Sequence, residues 1–254
     1  MTEEKFLLGR IPAVLYGKPS QQVYLFVHGQ CGCKEEGAAF AEVVCPKGLQ
    51  VLAVDLPEHG ARRGETERLN PWTAVPELRA VLEFAKPRWS EIGLRANSIG
   101  AHFSLLAFAG EPLCRALFVS PILDMERLIS DLMRAAGVTE QELAAQGEIE
   151  TDFGQTLSWR YLSWERRHPL QNWRCPTAIL CAGRDGMTGR ETAERFAADH
   201  DASLTVMENG EHWFHTPEQL AVLRAWEDAE TRPGALGQSA AERAGSKNRG
   251  GGDA

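Results

Sequence analysis

Short, mostly apolar runs alternate along the chain with longer segments in which apolar residues recur at helical spacing. The runs are rich in β-branched and aromatic residues, and each ends in a loop of glycine and polar residues. Such runs are typical of strands that are buried on both faces of a parallel sheet. Six segments fit this pattern: 23–27, 49–56, 92–96, 115–120, 177–182 and 203–207. One or two further edge strands are expected within residues 6–16.

The segments between these runs have the features of amphipathic helices. Asn70 precedes Pro71, which is a typical cap followed by a typical first helical residue. Helices are predicted at 35–44, 71–84, 101–109, 190–200 and 217–227. Strands that alternate with helices indicate βαβ units. The predicted fold class is therefore α/β, with a mostly parallel central sheet flanked by helices.

Residues 122–173 interrupt this alternation. They contain three helical patterns and no clear strand pattern, so we predict a helical lid inserted between two sheet strands. The segment carries Trp159, Tyr161, Trp164 and Trp173, which either pack the lid against the sheet or line an apolar substrate pocket. The lid belongs to a single predicted domain at 1–230. The tail at 231–254 is rich in Gly, Ala, Ser and Arg and is predicted to be disordered.

Composition and charge exclude several classes of protein. The 254 residues carry a net charge of −8, so there is no basic footprint for nucleic acid. The chain contains no run of about 18 apolar residues, so no membrane span is predicted. The acidic N-terminal segment lacks the pattern of a signal peptide, so we expect reduced cysteines and a cytoplasmic location. Cys31 and Cys33 lack a second ligand pair at zinc spacing, and no metal is expected.

Ser98 lies at a predicted corner between a strand and a helix. The corner reads A-N-S-I-G, and its small residues Ala96 and Gly100 allow the strand and the helix to cross closely. This arrangement can expose a serine hydroxyl for chemistry. The alternative is that Ser98 is a helix N-cap, whose side chain accepts a hydrogen bond from a backbone N–H.

Asp185 and His212 also follow predicted strands. In a parallel sheet the carboxyl ends of the strands meet at one edge, and functional groups collect there. A serine hydroxyl becomes a nucleophile when an imidazole takes its proton, and a carboxylate holds that imidazole in one tautomer. Ser98, Asp185 and His212 can therefore form a catalytic triad, in the chain order of α/β-hydrolases.

The chain resembles the α/β-hydrolase superfamily, in particular esterases, lipase-like enzymes and dienelactone-hydrolase relatives. The matching motifs are V-H-G-Q at 27–30, D-L-P-E-H-G at 55–60, A-N-S-I-G at 96–100, A-G-R-D at 182–185 and G-E-H-W-F at 210–214. The resemblance implies that Ser98 is the nucleophile, Asp185 the acid and His212 the base. It also implies an oxyanion hole formed by the backbone N–H groups of Ile99 and Gln30, although Cys31 is an alternative to Gln30.

The implied activity is hydrolysis of a small-molecule carboxylic ester through an acyl-enzyme intermediate, with no cofactor. An amide or peptide hydrolase and an acyltransferase would use the same triad, and a non-catalytic binding protein could use the same scaffold. The sequence leaves the oligomeric state open.

Several other residues compete for these roles. Asp124 follows a predicted strand and is the alternative acid, while His215 is the alternative base. The remaining polar candidates are expected to be structural: His28 and His59 as loop hydrogen-bonding residues, His102 as a packing residue and Asp55 as a strand-end residue.

Overall fold

The computed structural model of the chain describes residues 1–66, 68–170 and 172–232. The predicted disordered tail lies outside the described residues from residue 233 onward. The strands are β1 (Glu3–Leu8), β2 (Ile11–Tyr16), β3 (Gln22–Val27), β4 (Gln50–Val54), β5 (Glu91–Asn97), β6 (Arg115–Val119), β7 (Glu148–Glu150), β8 (Thr156–Ser158), β9 (Thr177–Ala182) and β10 (Ser203–Met207). The α-helices are α1 (Gly37–Val44), α2 (Pro71–Ala85), α3 (Ser98–Phe108), α4 (Met125–Ala136), α5 (Glu140–Gln146), α6 (Trp159–Arg167), α7 (Arg190–Asp199) and α8 (Pro217–Glu230).

Eight of these strands form the central sheet, in the order β1-β2-β4-β3-β5-β6-β9-β10. The six strands from β4 to β10 in this order are parallel, and only β1 and β2 run antiparallel to their neighbours. The prediction of a mostly parallel α/β sheet is confirmed. Its physical basis is the continuous apolar runs, since both faces of this sheet are covered by helices.

The two faces of the sheet have separate cores because successive strand residues point to opposite sides. In β3, Val23, Leu25 and Val27 pack on the face covered by α2 and α3. Tyr24 and Phe26 pack on the other face, together with Phe40 of α1 and Trp226 of α8. The side-chain amide of Asn70 caps α2 as predicted, accepting a hydrogen bond from the backbone N–H of Thr73 at 3.0 Å.

Register brings the carboxyl ends of the central strands together. Val27 of β3 pairs with Ala96 of β5, and Asn97 pairs with Val119 of β6. Val119 pairs in turn with Leu180 of β9. The loops that follow β3, β5, β6 and β9 therefore leave the sheet side by side.

Helices α4, α5 and α6 of the insertion at 122–173 share a small apolar cluster that is distinct from the two cores of the sheet. Met125 and Leu128 of α4, Leu143 of α5 and Leu162 of α6 are buried together there. Ile99, which follows Ser98, packs against both this cluster and the main core. The segment is inserted between β6 and β9 as expected, and its action as a lid stays a prediction.

The prediction that this insertion contains no strand is wrong. It includes a short antiparallel hairpin in which β7 pairs with β8. Each strand has three residues, and only Ile149 and Leu157 turn toward the apolar cluster. One inward residue per strand is too few to produce an alternating pattern in the sequence.

The C-terminal helix is longer than predicted. It ends at Glu230 rather than at residue 227, and the buried Thr231 follows it. The Thr231 hydroxyl donates to the backbone carbonyl of Glu227 at 2.6 Å and lies 2.9 Å from Lys47 Nζ. Among the described residues no helix has the length and apolar character needed to cross a membrane.

Candidate active site

Ser98 occupies the sharp corner between β5 and α3. Its φ is +47°, in the left-handed region that is uncommon for residues other than glycine. The corner is also sterically closed, because a Cβ added to Gly100 would lie 2.2 Å from the backbone oxygen of His28. A Cβ added to Gly29 would lie 3.2 Å from the Ser98 Cβ. The loop after β3 therefore passes directly beside the serine, and the small residues in both segments allow this approach.

The Ser98 side chain contacts a histidine from the other end of the chain. Its Oγ lies 2.8 Å from His212 Nε2, and His212 Nδ1 lies 2.7 Å from Asp185 Oδ2. Both the imidazole and the carboxylate are buried. With the proton on Nδ1, the imidazole donates to Asp185 and accepts the Ser98 hydroxyl proton at Nε2. The N-cap position of α3 is occupied by Asn97, so Ser98 is not the cap.

Asp185 is held at its second oxygen as well. Oδ1 accepts hydrogen bonds from the backbone N–H groups of Met187 at 2.8 Å and Thr188 at 3.2 Å. Burial works to raise the pKa of Asp185, but His212 and these two amides together hold it below its ordinary value. The group is therefore ionised near neutral pH and can stabilise a positive charge on His212.

The alternative acid and base are engaged elsewhere. Asp124 caps α4, accepting a hydrogen bond from the backbone N–H of Arg127 at 2.9 Å, and its other oxygen accepts from Arg195 at 3.2 Å. His215 Nδ1 lies 3.4 Å from Glu211 Oε2, and the His215 side chain is largely exposed. Geometry therefore favours Asp185 and His212 as the partners of Ser98.

His28, Asp55 and His59 form hydrogen bonds that hold the loops in place. His28 Nε2 accepts from the backbone N–H of Leu56 at 3.0 Å, and burial lowers the pKa of His28 to about 4. Asp55 accepts from the backbone N–H and the ammonium of Lys34, both at 2.8 Å. His59 Nδ1 lies 2.7 Å from the carbonyl of Pro57. These contacts agree with the structural roles expected for all three residues.

His102 does more than the predicted packing. It lies one turn beyond Ser98 on α3, and its Nε2 is 3.1 Å from Glu165 Oε1 of α6. Both side chains are buried. The contact joins α3 to the insertion, and the sequence could not predict it because the two residues lie 63 positions apart.

The predicted oxyanion amides belong to the two segments that meet at Ser98. Ile99 lies in the first turn of α3, where backbone N–H groups have no partner within the helix. Gln30 is exposed at the turn beside Ser98, and Cys31 adopts a φ of +63°. The backbone N–H of Gly32 donates to the carbonyl of Gly29 and closes this turn. The assignment of the second amide to Gln30 or Cys31 stays a prediction.

A buried ion pair lies beneath the corner and was missed by the sequence reasoning. Arg95 of β5 contacts Glu227 of α8 at 2.9 Å, and it also bonds the side chain of Asn97. Burial raises the pKa of Glu227, although Arg95 acts to lower it. The available signal was an arginine within a mostly apolar strand, since such a residue requires a partner when it is buried.

The aromatic residues of the insertion have different surroundings. Trp173 is buried against Phe118 and donates to Thr177 Oγ1 at 2.8 Å, so it packs the core. Trp164 stacks on His168 and lines a 610 Å³ cavity between α2, the end of α3 and the end of α6. No residue of the Ser98–Asp185–His212 arrangement lines that cavity. Its use as a substrate pocket stays a prediction.

Comparison with known proteins places the chain by its fold. No protein-family model matches the sequence, and no curated protein matches it. Many solved structures match the fold. Est1E from Butyrivibrio proteoclasticus, solved with bound ferulic acid, has a TM-score of 0.71 at 18% identity, over 89% of this chain and 96% of that chain.

Two further structures widen the comparison. Mouse alpha/beta hydrolase domain-containing protein 10 has a TM-score of 0.72 at 14% identity, over 90% of this chain and 98% of that one. A monoacylglycerol lipase from Paleococcus ferrophilus has a TM-score of 0.63 at 19% identity, over 87% of this chain and 99% of that one. The chain has the α/β-hydrolase fold, as the sequence motifs implied.

Proposed function

We propose that this protein is a serine hydrolase that cleaves a carboxylic ester through an acyl-enzyme intermediate. The observation that carries the proposal is the continuous hydrogen-bonded line from Ser98 through His212 to Asp185, with contacts of 2.8 and 2.7 Å. Each of these three residues follows a strand at the carboxyl edge of one sheet. The names of several similar structures, which include a monoacylglycerol lipase, support an ester as the substrate.

In the proposed mechanism Ser98 Oγ attacks the ester carbonyl while His212 Nε2 takes its proton. Asp185 stabilises the resulting imidazolium through Nδ1. His212 then protonates the departing alcohol, which leaves an acyl group on Ser98. A water molecule repeats the attack, with His212 again as the base, and releases the carboxylic acid. The sequence of steps requires no metal or organic cofactor.

The negative charge that develops on the carbonyl oxygen would be met by the backbone N–H groups of Ile99 and Gln30. The N-terminal end of α3 adds the positive end of the helix dipole to this site. A single such donor typically contributes about 10²–10³ in turnover.

The test is labelling by a fluorophosphonate probe together with hydrolysis of p-nitrophenyl esters of increasing acyl length. Ser98→Ala is expected to abolish labelling, and Asp185→Asn and His212→Ala to lower turnover by about 10⁴-fold or more. Asp124→Asn and His215→Ala are the matched controls, because they remove the alternative acid and base without touching the proposed triad. Loss of activity in a control variant, or labelling that persists in Ser98→Ala, would contradict the assignment.

The same triad could act on an amide or transfer the acyl group to an acceptor other than water. Product analysis with an ester and its matching amide, in the presence of an added alcohol, separates these reactions. A folded wild-type protein that neither labels nor hydrolyses any ester would indicate a binding protein on this scaffold.

A further inference from the structure

The loop at 183–189, called the acid loop here, carries Asp185 between β9 and α7. Its first half is tied to the segment that leads to His212, since the backbone N–H of Gly183 donates to Met207 and that of Arg184 to Gly210. Most of its residues are exposed, with Asp185 and Thr188 as the buried exceptions. The second half therefore needs contacts outside the loop to hold its position.

Arg127, on α4 of the insertion, supplies two of these contacts. Its Nη2 donates to the backbone carbonyl of Met187 at 2.6 Å and to that of Thr188 at 2.5 Å. Its Nη1 donates to Asp131 one turn further along the helix at 2.7 Å, which fixes the orientation of the guanidinium. A third anchor is the Thr188 hydroxyl, which donates to the carbonyl of Pro121 at 2.6 Å.

The two residues that Arg127 holds are the same two that hold Asp185. The backbone N–H groups of Met187 and Thr188 donate to Asp185 Oδ1, while their carbonyls accept from Arg127. The Met187 carbonyl and the Thr188 N–H belong to the same peptide group, so the guanidinium at that carbonyl polarises the N–H and strengthens its bond to Asp185. Arg127 is thus connected to the carboxylate through two residues, without touching it.

We propose that Arg127 is a positioning residue for the triad, acting through the amides of Met187 and Thr188 to keep Asp185 aligned with His212. The proposal rests on the proposed function and adds that the insertion takes part in it. When α4 is seated, the acid loop is closed around Asp185. Without the guanidinium, the Met187 and Thr188 amides that orient Asp185 lose this support. The docking of the insertion therefore sets the efficiency of the triad.

A purely structural role for Arg127 predicts a different behaviour. If the residue only fastens the insertion to the sheet, its loss lowers thermal stability, and substrate binding changes together with turnover. If it positions Asp185, turnover and phosphonate labelling fall while KM changes little, because the reacting groups are misaligned rather than the substrate.

The experiment compares Arg127→Ala, Arg127→Lys and wild type for kcat, KM, labelling rate and thermal unfolding. Arg127→Ala is expected to lose about 10- to 100-fold in kcat and in labelling rate, with KM within about twofold. Arg127→Lys retains a cation that can reach the carbonyls and should recover much of the loss. Millimolar methylguanidinium should restore part of the activity of Arg127→Ala, which a role in stability alone does not predict.

Arg134→Ala is the matched control. Arg134 lies on the same helix and also pairs with Asp131, at 2.7 Å, but its side chain is largely exposed. This variant should keep kcat within about twofold of wild type. The inference is overturned if Arg127→Ala keeps the kcat of wild type. It is also overturned if kcat falls in Arg127→Ala but is restored neither in Arg127→Lys nor by methylguanidinium.

Wild type and Ser98→Ala are assayed alongside, so that the two proposals fail in different ways. Wild type that does not label removes the proposed function and the inference together. Wild type that labels only through Ser98, with Arg127 variants unchanged, removes the inference alone.

Discussion

The two ends of the proposed triad are held in place by different forces. At the Ser98 corner, backbone lies against backbone, and the approach is so close that Gly100 leaves no room for a side chain. At the acid loop, polar contacts to Arg127, Pro121 and His212 hold the backbone in position, and most of the loop is exposed. Changes at the corner should therefore lower stability, whereas changes at the acid loop should lower turnover first.

A pair of glycine substitutions tests this contrast with the largest expected effect. In Gly100→Ala the added Cβ would overlap the carbonyl of His28, so we expect about 4–5 kcal/mol of destabilisation or failure to fold. Gly186→Ala is the matched change in the acid loop, where a Cβ meets nothing within 4 Å. It should alter stability by less than about 0.5 kcal/mol. Urea unfolding measures both, and equal losses would remove the distinction.

The ion pair beneath the corner should show the next largest effect. Arg95→Met leaves the carboxylate of Glu227 buried without its cation, which typically costs about 3–5 kcal/mol. The double variant Arg95→Met/Glu227→Leu removes both charges and should recover most of this loss. Chemical denaturation of the two variants provides the measurement. A double variant that is no more stable than the single one would show that the charges are not the source of the cost.

Acid should destabilise the corner through His28. Its folded pKa is about 4, against 6.5 in the unfolded chain, because the imidazole is buried and accepts a hydrogen bond in its neutral form. The unfolded state therefore binds more protons between about pH 6.5 and 4, and stability falls as the pH is lowered through this window. The shift corresponds to about 3 kcal/mol from this group. His28→Gln, which has no titratable group, should flatten the curve of unfolding free energy against pH by that amount.

Removing an anchor of the acid loop should have a smaller effect on stability than the changes at the corner. Thr188→Val deletes the hydroxyl that bonds the carbonyl of Pro121 and should cost about 1–2 kcal/mol. Turnover should fall by more than this stability loss suggests, because the hydroxyl fixes the position of the Thr188 backbone N–H, which donates to Asp185. Thr188→Ser keeps the hydroxyl and should restore both properties. An unchanged kcat in Thr188→Val would show that the hydroxyl of Thr188 does not contribute to the position of Asp185.

Much of the fold could be read from local patterns. The predicted bounds of β9 and β10 coincide with the observed ones, because each is a short apolar run followed by a loop of polar residues and glycine. The hairpin β7–β8 was not predicted, because each of its strands turns only one apolar residue inward. The same local reasoning selected Ser98, Asp185 and His212, since each follows a strand that ends at the same edge of the sheet.

By itself, the sequence determined the order of the strands and helices and the loops that carry the candidate residues, because these depend on periodicity over a few residues. Only the tertiary structure decided that Asp185 rather than Asp124 faces His212, that Arg95 pairs with a helix 132 residues away, and that Arg127 reaches across 60 residues to the acid loop. Such contacts depend on which loops meet when the sheet twists and the insertion docks. These contacts cannot be predicted from the hydrophobic pattern of the chain.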